Sequence, residues 1–424
     1  MQVRRGPWLE REVNAGVERV VYLVAFALIV ASRLPEILLK GRFWAEEGNV
    51  FFVAAWIGPW WKALLAPYGG YLDLVPNIGA LVAYHVMPLS AAPYGSSAVA
   101  LAVQCIPAIL IVASRDSWLQ PRFAMGAALL LIGMPIAADE VWISSIGCTA
   151  HLALAAAVVL ALGVPRAGLL AFQCGVLLLA ALTAPGCWVL TVLFAVRAIL
   201  ERSKERALQG LVLFAGVLLQ LALFYSDFGR AMSITPSVLG AVVFTKHVLL
   251  PFLGVSRADE IISGLAAQYT EQGGPIWSLG LSVGLFIGLA GLAFRYLRQP
   301  PIWFILAAAI IAASGYVGAF DPDKSRLISV WNGARYAVAP QILFGLALLS
   351  WSRLLKDWTR YPAGILTVWL LVIDLMGHFH KPLSAYYNGP AWRDEVAQWR
   401  LDPNHTLQLW PPAWTVKLPP RQVP

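Results

Sequence analysis

The stretch LVPNIGALVAYHVMPLSAAPYGSSAVALAVQCIPAILIVAS, residues 74–114, holds no Asp, Glu, Lys or Arg, and how it is read decides the fold. A bilayer core takes roughly 20 mostly apolar residues per helix, so the run is long enough to cross twice. If both halves cross, the basic turn holding Arg115 and Arg122 lands outside and the Lys/Arg-poor stretch 139–149 lands inside. If instead 72–90 lies along the surface and only 94–113 crosses, every short basic loop falls on one side. Those loops are 1–19, 114–122, 164–166, 197–206, 295–301 and 351–361, and they hold 16 of the 31 Lys and Arg. Cytoplasmic loops carry the excess of Lys and Arg, which selects the second arrangement. Asp73, Pro76, Asn77, His85 and Pro88 suit a half-buried surface helix better than a lipid-facing span.

Working outward, the other apolar runs are 20–32, 123–138, 141–165, 167–196, 207–226, 272–294, 299–320, 336–352 and 361–373. Ala184-Pro185-Gly186 breaks 167–196 into two short spans, because proline and glycine punctuate helices. The first run follows Arg4, Arg5, Arg11 and Arg19 as a signal peptide would, but no small-residue cleavage site follows. We read it as a retained helix. The fold class expected is all-α, a polytopic integral membrane protein of about 11 transmembrane helices. Residues 1–379 form the membrane domain, with a first external loop at 33–93 carrying interfacial helices and a middle external loop at 226–275. A short external tail, 380–424, lies against the outer face. The N-terminus is cytoplasmic, and a bacterial inner membrane is the expected location.

The 424 residues are 59% hydrophobic and 13% charged. A soluble domain carries about 25% charged residues. That shortfall excludes an ordinary soluble protein, a disordered chain and a nucleic-acid binder. The net charge of +8 follows from the inner loops, so it marks orientation and not a polyanionic ligand. The 18 tryptophans fit interfacial belts. Four unpaired-looking cysteines (Cys105, Cys148, Cys174 and Cys187) give neither a metal knuckle nor a disulfide framework.

Chemistry is concentrated in the external loops. Gly41-Arg42-Phe43-Trp44-Ala45-Glu46-Glu47-Gly48-Asn49 sets two adjacent carboxylates just beyond the first span, and Pro67-Tyr68-Gly69-Gly70-Tyr71-Leu72-Asp73 follows. Glu46 and Glu47 are either solvated acids at headgroup depth or carboxylates that abstract a proton or hold a metal. Asp139 and Glu140 stand at a second span exit, with His151 opening the next helix; acids at a helix end are often structural. In the late loop, Asp321-Pro322-Asp323-Lys324-Ser325-Arg326 precedes Gly333-Ala334-Arg335-Tyr336. Arg335 is either a bidentate phosphate ligand or a snorkelling anchor. Lys246-His247 reads as an interfacial basic pair that can also meet a phosphate. Asp374 and His378, four apart, read as a local pair, and His85 as a packing residue.

Trp44-Ala45-Glu46-Glu47-Gly48 resembles the acidic first-loop motif of the GT-C polytopic glycosyltransferases. Pro67–Leu72 is similar to that superfamily's juxtamembrane helices, Asp139-Glu140 to its second acidic site, and Gly333-Ala334-Arg335-Tyr336 to its late arginine-tyrosine element. A WWD signature and a large soluble C-terminal domain are absent. The resemblance implies sugar transfer from a polyprenyl-phosphate-linked donor to a hydroxyl acceptor, a glycan, lipid or protein, on the external face. Glu46 or Glu47 is then the base. Arg335 and Tyr336, with Arg326 and Lys246, bind the donor phosphate. Asp139, Glu140, His151, Tyr71 and Asp73 position the acceptor or a metal, with Mg or Mn left open. The alternatives are a polysaccharide polymerase or ligase using lipid-linked sugars, and a transporter or flippase. Transport calls for ionisable residues near the bilayer midplane, and the spans as read offer little beyond Asp374.

Overall fold

The computed structural model describes residues 8–13, 16–137, 139–226, 234–272, 277–321, 323–379 and 386–419. Helix dominates, with two small two-stranded sheets among the described residues. Among the described residues, six helices are long and apolar enough to cross a membrane, the mark of a multi-pass membrane protein. They are Leu89–Ala113, Lys204–Leu223, Pro236–Tyr269, Pro300–Val317, Ala334–Leu354 and Arg360–His378. The helices Ala167–Ala181 and Pro185–Glu201 meet the same criterion as a pair bent by 119°, with the break at the proline and glycine read from the sequence. Arg122–Gly133, Cys148–Ala161 and Trp277–Gly291 are shorter apolar helices. Cys148–Ala161 is apolar on every side, so it takes the centre, where Leu152 through Ala161 are all buried. Val20, Val24 and Leu28 of the helix Val17–Ser32, and Ile365, Val368 and Met376 of the last long helix, stay exposed on the rim. So broad an apolar exterior fits lipid rather than water.

The connecting loops gather at two ends. At one, Val13 N donates to Gln120 O (2.9 Å) and Arg122 N to Arg11 O (3.0 Å). Arg122 pairs with Glu18, and Arg353 with Glu10 at 2.8 Å. Tyr296 Oη donates to Asp357 (2.5 Å), and Gly163 N to both Asp116 oxygens. Arg197 and Arg206 reach the carbonyls of Leu160, Val159 and Leu162. These contacts bring all six basic loops together in one basic end. The loops after the first helix, around Asp139 and before Ala334 form the opposite, acidic end.

The segment expected as a middle external loop is organised differently. Pro236–Phe244, Thr245–Leu249 and Leu250–Gln272 form continuous helix, turned sharply at Gly254, whose φ of 76° favours glycine. Tyr269 Oη donates to Ser237 O at 2.9 Å, so the two arms close on each other. Length and composition admit this segment as one span, but its ends meet, and it is a helical hairpin that starts and finishes at the acidic end. Lys246 and His247 are therefore not an interfacial pair. Both are buried: Lys246 Nζ donates to Val330 O (2.7 Å), and His247 Nε2 hydrogen-bonds Tyr316 Oη (2.9 Å). A charge is tolerated in such a place because polar partners take up its protons. A cavity lined by His247, Gln341 and Asp374 among apolar side chains lies between this hairpin and the last two long helices. Nδ1 of His378, four residues after Asp374, is sealed without a hydrogen-bond partner.

The first external loop builds a platform from Pro35–Lys40, Glu47–Phe52, Val53–Ile57, Trp60–Leu64 and Leu74–His85. Leu74–His85 lies against the start of Leu89–Ala113, where a Cβ on Gly95 would come within 2.8 Å of the Ala83 backbone. The described part of the tail docks on this platform. Ala45 N donates to Trp410 O (2.5 Å) and Trp410 N to Phe43 O (3.2 Å). Leu409 fills the space beside Gly48, where a Cβ would lie 2.6 Å from its Cδ2.

Candidate active site

Adjacent residues on a helical turn point in different directions, and Glu46 and Glu47 part company at the start of Glu47–Phe52. Glu47 is 3% exposed. Its Oε2 accepts from Trp44 N (2.8 Å), and its Oε1 from Ser144 Oγ (3.2 Å), Ser145 Oγ (2.7 Å) and Ser145 N. With both oxygens committed, Glu47 is a strut between the first loop and the loop after Glu140. Glu46 is half-buried, and among the described residues its hydrogen-bond partner is Tyr68 Oη, at 3.4 Å. Burial, and next the charge of Glu46, push the Tyr68 phenol above its ordinary value.

Asp73 lies within electrostatic reach of Glu46. It is 2% exposed, and its Oδ1 is sealed with no hydrogen-bond partner. Burial, then the neighbouring Glu46, hold its carboxyl well above the usual range. The backbone pins it from both sides. Leu72 exchanges two hydrogen bonds with the Gln220 amide (3.1 and 2.7 Å), and Leu74 N donates to Leu182 O (3.2 Å). Tyr71, opposite Tyr68 in the hairpin, holds the same turn.

The second acidic loop contributes two ion pairs. Asp139 meets Arg33 Nε at 3.0 Å, and Glu140 meets Arg335 Nη1 at 3.0 Å. Arg335 Nη2 also donates to Tyr336 Oη (3.2 Å), and Glu46 and Tyr68 lie within its electrostatic reach. Arg33 stacks on Trp142 (5.3 Å) and donates to Pro135 O (2.8 Å). His151 is wholly buried beneath them. Its Nδ1 bonds Gly147 O (3.1 Å), its ring abuts Trp142, and its Nε2 is sealed without a partner.

Glu46, Glu47, Asp73, Asp139, Glu140, Arg335 and Tyr336 thus belong to one cluster, with Lys246 at its edge through Glu140. Arg326 is not drawn in: it is largely exposed and pairs loosely with Asp323 at 3.7 Å. Among the described residues, no group of three or more His, Cys, Asp and Glu side chains could hold a metal ion.

Arg33, Arg42 and Tyr386 are members of the cluster that sequence reasoning missed. Arg42 is 1% exposed and lies over the rings of Trp44 (4.8 Å) and Trp410 (5.8 Å). Burial pulls its guanidinium down to about 10, with Glu47 opposing. Arginines beyond the first span on the Lys/Arg-poor side were a signal for Arg33 and Arg42; Tyr386 had none. No family model, curated protein or solved structure matches this chain.

Proposed function

We propose that the chain is an integral-membrane glycosyltransferase that moves a sugar from a polyprenyl-phosphate-linked donor to a hydroxyl acceptor. The observation that carries this reading is the half-buried Glu46, uncommitted on one oxygen, in the same cluster as the Arg335–Glu140 pair. Glu46 removes the proton from the acceptor hydroxyl. That oxygen then forms a bond to the anomeric carbon as the bond from the same carbon to the donor phosphate oxygen breaks. The bonding electrons leave with the phosphate, and the Arg335 guanidinium faces that developing charge. Glu140 and Tyr336 hold the guanidinium in place, and Asp73, its carboxyl pushed up by burial, stands beside the base. A polyprenyl phosphate has its tail in lipid and its head at the surface, so chemistry at one end of a helix bundle suits it.

The topology belongs to the same proposal. Eleven crossings are supported because eleven helices, counting both arms of the bent pair, have one end among the basic loops and the other among the acidic ones. The positive-inside rule then makes the basic end cytoplasmic and the acidic end external. The test is release of polyprenyl phosphate from a panel of synthetic polyprenyl-phosphate sugars by protein in nanodiscs. Glu46→Gln should remove release while leaving folding intact. Full release by Glu46→Gln, or none by wild type with any donor, overturns the reading. A transport reading draws on the cavity of His247, Gln341 and Asp374; solute uptake by proteoliposomes, lost in Asp374→Asn without any sugar transfer, would favour it.

A further inference from the structure

Tyr386 comes from the C-terminal tail, far in sequence from every other member of the cluster. Its ring stacks on Trp44, with centroids 5.2 Å apart and planes 18° from parallel. It is 9% exposed, and among the described residues its hydroxyl has no hydrogen-bond partner. Among the charges within electrostatic reach of it, Glu140 and Asp139 act most strongly, and Arg42 and Arg335 oppose them. Beneath Trp44, the Arg42 Nε and Nη1 are sealed and unpartnered; only Nη2 is used, donating to Trp142 O at 3.2 Å. Buried donors are nearly always satisfied in a finished structure. The Tyr386 hydroxyl, unlike those Arg42 atoms, is not sealed, so with Arg42 and Arg335 within electrostatic reach it is a donor left over for an oxygen-rich anion.

The tail is fixed where this needs it. Trp410 bonds the Phe43–Ala45 backbone on one side, and its Nε1 donates to Pro390 O (2.9 Å) on the other. Lys40 Nζ reaches the carbonyls of Tyr387 and Gly389. We infer that the tail completes the binding site, with the Tyr386 hydroxyl donating to a phosphoryl oxygen of the lipid-linked ligand and Arg42 placing positive charge beneath it. Tyr386 is the contact, and Arg42 acts through Trp44 as a positioning residue. The inference rests on the lipid-phosphate reading above and extends it to a chain segment outside the helix bundle.

The probe is tritiated farnesyl phosphate, bound to the full chain in nanodiscs and read by scintillation proximity, with farnesol as the phosphate-free control. Tyr386→Phe keeps the ring on Trp44 and deletes one oxygen. It should weaken farnesyl phosphate about tenfold or more, as expected for a hydrogen bond to a charged group, and leave farnesol unchanged. Arg42→Lys should weaken the phosphate in the same direction. If Arg335→Gln weakens the probe but Tyr386→Phe and Arg42→Lys do not, the tail has no part in binding and this inference fails alone. If wild type binds farnesyl phosphate no better than farnesol, the lipid-phosphate reading fails with it. Displacement by inorganic phosphate at concentrations matching the probe would overturn the lipid source of the phosphoryl group.

Discussion

Two polar knots sit at opposite ends of this bundle, and they are built differently. At the basic end, Arg197 and Arg206 share Glu201 (2.6 and 3.2 Å) and cap the C-terminal carbonyls of Cys148–Ala161. Arg206 also donates to Gln209, which donates to Gln173 (2.6 Å). None of these five side chains leaves a sealed polar atom without a partner, whereas Arg19 Nε and Trp118 Nε1 beside them at the same end do. At the acidic end, Arg33 Nη1, Arg42 Nε and Nη1, Asp73 Oδ1 and His151 Nε2 are all sealed and unpartnered. Cations at a helix C-terminus complement its dipole, so the first knot is complete as a piece of folding. The second leaves hydrogen-bonding capacity over, and in a low-dielectric setting that capacity is costly unless something else takes it up.

The contrast can be broken by mutation. The largest expected effect is on the proposed sugar transfer. Glu46→Gln should lower sugar transfer by roughly 10²–10⁴-fold with little change in the melting temperature in detergent. An equal loss of stability would make Glu46 another strut. Next, Arg206→Ala should destabilise by about 3 kcal/mol, because it leaves the Val159 and Leu162 carbonyls and Gln209 Oε1 without their donor, and this should be visible as reduced folded yield and an earlier thermal transition. Arg335→Ala, at the acidic end, should leave that transition nearly in place while the proposed transfer falls. Glu47→Gln sharpens the separation inside the acidic cluster. It disturbs four accepted hydrogen bonds and should cost about 2–3 kcal/mol, so its transfer defect should track its folding defect.

The smallest effect concerns pH. The Asp73 carboxyl is raised in the folded state, so the folded chain binds more protons than the unfolded one above the ordinary carboxylate range. Its contribution to stability is therefore lost as pH rises from about 4 toward the folded value. Asp73→Asn should flatten that slope and match or exceed wild-type melting at pH 8, while transfer declines. A melting temperature that falls at pH 8 in Asp73→Asn would mean that the carboxyl is charged and paired after all.

Much of the architecture was legible because membrane insertion writes itself in composition. Apolar runs, the break at Ala184-Pro185-Gly186 and the clustering of Lys and Arg in six loops each have a local cause. The hairpin of Pro236–Gln272 was not legible. Lys246 and His247 look solvent-bound until Val330 and Tyr316 are brought to them, and nothing near them in sequence announces those partners. The same limit applied at the site. Two acids in succession are equivalent on paper, and only the Ser144-Ser145 turn, which arrives from another loop, turns Glu47 into a strut and leaves Glu46 available. Tyr386 depends on the docking of a tail whose sequence is unremarkable.

The slot beside Gly48 has a consequence for how this chain can diverge. Leu409 occupies the room that a side chain at position 48 would need, so the residue after the paired acids and a residue near the chain's far end share one volume. Enlarging one demands trimming the other, and homologues should change these two positions together or not at all.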